Sequence, residues 1–275
     1  MASASEVVRV IRRSDATRHC PHRARRREGA VVHGVRFDVL RDGELPRHID
    51  SFLSCGRSHI VHFFAGHPTV LARQDPAYCS VLNGGDLNVV DGVSIALALR
   101  LYGHPATRTT GTDAIGALCR WGVERGLRHY FYGGRPAVVE LMRRRLVRAY
   151  SGIEIVGVDA PPFDELDAYP YAEVADRIRA TGADLVWIGL GAPKQDLVAE
   201  RLRALEAAPV LLCVGAAFDF FSGAKRRAPV WMQRGGVEWL YRLVSEPRRL
   251  WRRYLLGNPR FVAGVLRDYF QVRRR

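Results

Sequence analysis

The chain has 275 residues and a net charge of +14, and 48% of its residues are hydrophobic. That length can bury a full core in one large domain or two closely packed ones, and no apolar run approaches the roughly 18 residues that span a bilayer. The charge is uneven, +5 over residues 1–35, +11 over 225–275 and −2 between them. An evenly basic nucleic-acid binder would look different, and anionic lipid or a diphosphate suits such local basic segments.

Residues 1–30 read as a basic leader expected to lack fixed structure, without the apolar core or small-residue cleavage site of a signal peptide. The five cysteines (20, 55, 79, 119 and 213) have no CxxC or zinc-ligand spacing. They predict a reducing compartment, no disulfide framework and no metal site. From Val31, VVHGVRFDVL predicts two short strands or a hairpin, and LPRHIDSFLSC a helix. HIVHFFAG predicts a strand, followed by one helix over HPTVLARQDPAYCSVLNGG. DLNVV and GVSIALALRLYG form the next strand and helix. LRHYFYGG, IEIVGV, ADLVWIGLG and PVLLCVGAAF are strands, interleaved with helices over RPAVVELMRRRLVRAY, YAEVADRIRATG and PKQDLVAERLRAL. This alternation predicts an α/β fold, a Rossmann-like and mostly parallel sheet covered by helices. The core is expected over 31–235, with a basic amphipathic helical appendage over 236–275.

In such a sheet ligands bind beyond the carboxyl ends of the strands, and four of those ends carry suggestive residues. Asp91 breaks the apolar run LNVVDGVSIALAL. It reads as a helix N-cap, as a carboxylate placed to take a proton, or as both. Gly133 and Gly134 precede Pro136, a turn that either receives a phosphate on free helix amides or only reverses the chain. Gly189 and Gly191 precede Lys194, Gln195 and Asp196, which suits a nucleotide phosphate or base. Asp219 lies among aromatics and needs a partner; Arg227 could supply one, in a site or in a structural ion pair.

In the C-terminal segment Trp239, Leu240, Leu243 and Val244 form a helical stripe ending at Glu246-Pro247. Arg242, Arg249 and Arg252 would share a side if that helix continued. Phe261, Val262, Val265, Leu266, Tyr269 and Phe270, flanked by arginines, predict a helix lying in a bilayer interface or docked on its own domain or a second subunit. A basic module without activity would explain the two charged ends but not the polar residues at successive strand ends. A dinucleotide-dependent oxidoreductase would need the GxGxxG turn, which is missing.

Over residues 31–258 the chain resembles the WecG/TagA/CpsF family, glycosyltransferase family 26. The resemblance rests on HGVRFD, LARQDPAY, DLNVVDGVSIA, RTTGTD, YFYGG, IEIVG, GLGAPKQD, VGAAFDFFSG, RRAP and GVEWLYRLVSEPRRLWRRYL in that order. It implies an inverting, metal-independent transfer from a nucleotide sugar, commonly a UDP-sugar, to a sugar on a polyprenyl diphosphate. The implied place is the cytoplasmic face of the membrane, peripherally bound through its anionic surface, in cell-surface polysaccharide assembly. No cofactor and no nucleic-acid partner are implied. Asp91 falls on the family's general base, Arg242, Arg249 and Arg252 on arginines that close over the nucleotide diphosphate, and Lys194, Gln195 and Asp196 on its PKQE motif. The chain departs from the family at Phe63 and Ala65, where relatives carry Thr and Asn. His67, a donor or base near neutral pH, is the residue that could compensate; otherwise it is a surface histidine at a helix start.

Overall fold

The computed structural model describes residues 28–161, 166 and 169–273; the expected leader lies almost wholly outside them. Eight described strands form one sheet in the order β1-β2-β4-β3-β8-β7-β5-β6. They are β1 (Gly29–Val32), β2 (Val35–Asp38), β3 (His59–Phe64), β4 (Leu87–Val90), β5 (Arg128–Gly133), β6 (Glu154–Asp159), β7 (Leu185–Gly189) and β8 (Val210–Cys213). Only the β1–β2 hairpin is antiparallel; β2 onward pair in parallel. Strands β3, β4 and β8 are buried throughout, as expected where helices cover both faces.

The first helices are α1 (Glu44–Leu53), α2 (Gly66–Gln74), α3 (Pro76–Gly84), α4 (Val93–Leu101) and α5 (Gly111–Val123). They are followed by α6 (Pro136–Ala149), α7 (Tyr171–Ala180), α8 (Lys194–Ala204) and α9 (Ala217–Phe221). One core packs Phe131, Trp187 and Leu212 against Ile115 of α5, Met142 of α6 and Phe218 of α9. The opposite face packs Val186, Ile188 and Leu211 against Ile178 of α7 and Val198 of α8.

Two expectations are corrected. The single helix expected over residues 67–85 is α2 and α3. Pro76 has no N–H to continue a helix and forces Asp75 extended; Asp75 then caps α3, accepting from Ala77 N at 2.9 Å and Tyr78 N at 3.2 Å. Cys79, Cys119 and Cys213 are free, but Cys55 is disulfide-bonded, where spacing predicted no pairing. Helix α5 was not expected. Its start is set by Thr110, whose Oγ1 accepts from Asp113 N at 3.1 Å, a local cap ahead of a buried stripe of Ala114, Ile115, Leu118 and Cys119.

The C-terminal segment comprises α10 (Val230–Arg234), α11 (Glu238–Ser245), α12 (Pro247–Trp251), a π-helical turn over Arg252–Leu256 and α13 (Gly257–Arg273). Helix α13 docks on its own domain. Phe261 and Val265 join the core of the hairpin, α2 and α4, His33 N donates to Asp268 Oδ2 at 3.0 Å, and Tyr102 Oη donates to Val265 O at 3.0 Å. Val262, Leu266 and Phe270, one position further round, stay exposed. No described helix is long and apolar enough to cross a membrane.

Candidate active site

A cleft of about 890 Å³ opens at the carboxyl edge of the sheet. Its walls are the ends of β3, β4, β7 and β8, the loop before α5, and the C-terminal segment folded across them. Polar residues of the cleft include Asp91, Arg108, Arg227, Glu238, Arg242 and Arg253.

Asp91 follows β4, its N–H bonded to Phe64 O at 3.3 Å. It does not cap α4: Gly92 is the N-cap, and no side chain caps that helix. Its carboxylate makes no hydrogen bond to any described residue, while its carbonyl accepts from Arg108 Nε at 2.6 Å. Burial lifts the carboxyl from 3.8 to about 6; Arg108 pulls it down and Glu238 pushes it up. A half-buried carboxylate with its oxygens free in a cleft is suited to accept a proton near neutral pH.

His67, in the first turn of α2, also lines the cleft. Burial, with Arg253 adding repulsion, lowers its pKa to about 4, so its ring is neutral at pH 7. Phe63 and Ala65 occupy the end of β3. Ala65 leaves α2 without a side-chain cap and packs closely on Gly92, where a Cβ would lie 2.5 Å from its own.

The structure divides the expected arginines. Arg227 lines the cleft and donates to Asp113 Oδ1 at 2.7 Å and Thr110 Oγ1 at 3.1 Å. Arg242 lies over the Phe220 ring at 5.2 Å with its Nε buried and without a hydrogen-bond partner. Arg249 lines the cleft and donates to Glu246 Oε2 at 2.7 Å. Arg252, expected beside them, is exposed and turned over the Trp251 ring at 5.2 Å. Arg253 enters the cleft in its place, its Nε buried and without a partner and its pKa lowered by that burial. Pro247 interrupts the helix expected to align the three arginines, and the π-turn shifts the phase by a further residue.

Of the other expected residues, only Gly191 and Gln195 line the cleft. Gly133 (φ 123°) and Gly134 (φ 73°) end β5 beside β7 so closely that a Cβ on Gly133 would meet Gly189 C at 2.7 Å. They serve a tight backbone approach outside the cleft lining. Gly191 and Gln195 line the cleft, the Gln195 Oε1 accepting from Gly191 N at 3.2 Å. Lys194 lies outside it, its Nζ 5.2 Å from the Tyr169 ring centre. Asp196 points into the core, 1% exposed, with His62 Nδ1 at 2.9 Å and Tyr78 Oη donating at 2.6 Å. His62, Asp196 and Cys213 offer ligand atoms within 4.8 Å of one another, but the imidazole and the phenol already engage both carboxylate oxygens. Asp219 pairs with Lys225 at 2.8 Å rather than with Arg227. Lys225 also reaches Glu246 at 3.2 Å, tying α9 to the C-terminal segment.

Sequence reading passed over Arg108, Glu238 and Arg253. Arg108 Nη2 donates to Glu238 Oε2 at 2.6 Å, joining the loop before α5 to α11 directly beside Asp91. RTTGTD and the EWLYRL block hold these residues, but nothing in either stretch singles out their side chains.

A carboxylate with free oxygens, facing arginines at the edge of a parallel α/β sheet, is a setting suited to a transferase. The family described as "Glycosyl transferase WecG/TagA/CpsF family" matches residues 30–275, and the chain belongs to it; the protein is a glycosyltransferase. It is 35% identical over 199 residues, 71% of this chain and 74% of the relative, to an N-acetylglucosaminyldiphosphoundecaprenol N-acetyl-beta-D-mannosaminyltransferase of Bacillus spizizenii. A protein of the same name from Bacillus subtilis is 30% identical over 200 residues, 72% of this chain and 75% of the relative.

Proposed function

We propose that this protein moves a sugar, with inversion and without a metal, from a nucleotide sugar of the UDP-sugar class to a sugar carried on a polyprenyl diphosphate. The observation that carries the reading is the pairing of Asp91, whose carboxylate is neither capped nor bonded, with Arg242 and Arg253, whose buried Nε groups have no partner. Buried guanidinium groups ordinarily find an acceptor, and planar guanidinium is suited to phosphate oxygens.

In this mechanism the acceptor hydroxyl gives its proton to Asp91 as its oxygen attacks the anomeric carbon. The bond from that carbon to the nucleotide diphosphate breaks, and its electron pair leaves with the diphosphate. Arg242, Arg249 and Arg253 meet the developing charge. A single displacement inverts the anomeric centre. Neutral His67 can orient the acceptor by hydrogen bonding.

The site of action is the cytoplasmic membrane surface, bound peripherally. Trp231, Trp251, Leu255 and Leu256 expose apolar surface among the arginines of the C-terminal segment, a combination suited to anionic lipid headgroups. Incubating purified protein with UDP- and GDP-sugars and a short-chain lipid-diphosphate-sugar tests the reading by mass spectrometry of the acceptor. One added sugar residue supports it. No product with any donor would overturn it.

A further inference from the structure

The cleft is not polar throughout. Helix α4 begins one residue beyond Gly92, beside Asp91, and α13 begins directly after the turn that carries Arg253. Both run outward from the charged centre. Their near ends meet across Gly66, where a Cβ would lie 3.0 Å from both Ser94 Oγ and the Phe261 ring. Their far ends are joined by the Tyr102–Val265 hydrogen bond at 3.0 Å and by stacking of Tyr102 on Tyr269, ring centres 6.4 Å apart.

Between those ends the two helices line the cleft with apolar side chains only partly covered. Leu97 and Leu101 on α4 are 57% and 46% exposed, and Val262 and Leu266 on α13 are 54% and 45% exposed. Single exposed leucines are ordinary. Here each pair is spaced i, i+4, so each forms a ridge along its helix, and the ridges border one concave strip. From Ser94 to Leu101, or from Asn258 to Leu266, the strip extends about 10–12 Å at the helical rise per residue.

We infer that this apolar arm is the subsite for the first isoprene units of the acceptor's polyprenyl chain. The inference rests on the acceptor class proposed above. In the name of the Bacillus relatives the sugar, the diphosphate and the prenyl chain are joined in that order. An acceptor of that class, with its sugar hydroxyl at Asp91, must continue beyond its own diphosphate as hydrocarbon, away from the charge. The strip between α4 and α13 starts beside Asp91 and, past Ser94 and Asn258, is lined by apolar side chains.

The test is calorimetric binding of inorganic diphosphate, geranyl diphosphate and farnesyl diphosphate to the full-length protein, without any transfer reaction. Each added isoprene unit should tighten binding about tenfold, a fraction of the transfer free energy of its carbons. The double substitution Leu97→Ser, Leu266→Ser should remove most of that gain and leave inorganic diphosphate unaffected; these side chains are exposed, so the fold should persist. Leu101→Trp should fill the arm and exclude the chain, while improving any contact with vesicles of phosphatidylglycerol and phosphatidylcholine. Equal affinity for all three diphosphates would overturn the inference. So would a Leu101→Trp protein that gains vesicle binding yet keeps its chain-length preference, since the strip would then face the bilayer. A chain-length preference with no sugar transfer would leave the arm standing and remove the reaction; transfer indifferent to chain length would do the reverse.

Discussion

Asp91 follows β4 and Asp196 lies in the first turn of the helix after β7, with two strands between them on the same sheet edge, and their surroundings are opposite. Asp196 has both oxygens engaged, by His62 and by Tyr78, in the core. Asp91 has a free carboxylate and does not cap the helix that follows it. Both lie in stretches that match a family motif, and both were expected at the site, Asp91 as the base and Asp196 among the nucleotide-sugar contacts. What separates them is whether the protein satisfies the charge itself or leaves it for a ligand.

That contrast is most exposed to loss of the free carboxylate. Asn at 91 keeps the size and removes the proton acceptor, so Asp91→Asn should lower turnover roughly 10²–10⁴-fold while the protein still binds UDP. Wild-type turnover in this variant would remove Asp91 from the chemistry and turn attention to His67.

The inward aspartate should give the complementary result. Asp196→Ala leaves His62 and Tyr78 without their buried acceptor, which should destabilise the fold by about 3–5 kcal/mol in denaturant unfolding. Activity per folded molecule should change far less. A stable Asp196→Ala protein that no longer binds UDP would put this residue back in the nucleotide site.

The adjacent arginines sharpen the comparison between groups left for a ligand and groups already placed. Arg253→Ala should cost about 2–4 kcal/mol of transition-state stabilisation, read as kcat at saturating donor. Arg252→Ala should stay near wild type in the same assay. Equal losses would show that the π-turn does not choose between them.

The last effect concerns pH. Asp91 holds its proton up to about pH 6 instead of 3.8, so its contribution to stability is complete below about pH 4 and lost above about pH 6. Asp91→Asn should therefore exceed wild type by about 3 kcal/mol at pH 8 and match it at pH 4. The turnover of wild type should rise through about pH 6 as the base ionises. A variant less stable than wild type at pH 8 would mean that Asp91 is held by an ion pair.

The alternation of strands and helices was legible because parallel strands buried on both faces are apolar and short, as in HIVHFF and LVWIG. Asp91 was legible for the same reason: a carboxylate in such a run is conspicuous. Helix α5 was missed although Ala114, Ile115, Leu118 and Cys119 recur at helical spacing, because glycines at 111, 116 and 122 interrupt the run and its start is announced only by a threonine cap. The C-terminal apolar repeat was read as one face, although Phe261 and Val265 pack inward and Val262 and Leu266 one step further round do not. Arg253 was out of reach, because its direction depends on a change of helical pitch that the letters RRLWRRYLL do not announce.

The widened turn at Arg252–Leu256 also bears on how this enzyme could diverge. A π-turn accommodates one residue more than an α-turn, so deleting one residue there would restore ordinary pitch and leave the helices on either side in nearly the same phase. A single codon loss or gain is thus absorbed at the cationic end of the site while α13 keeps its seat on the hairpin.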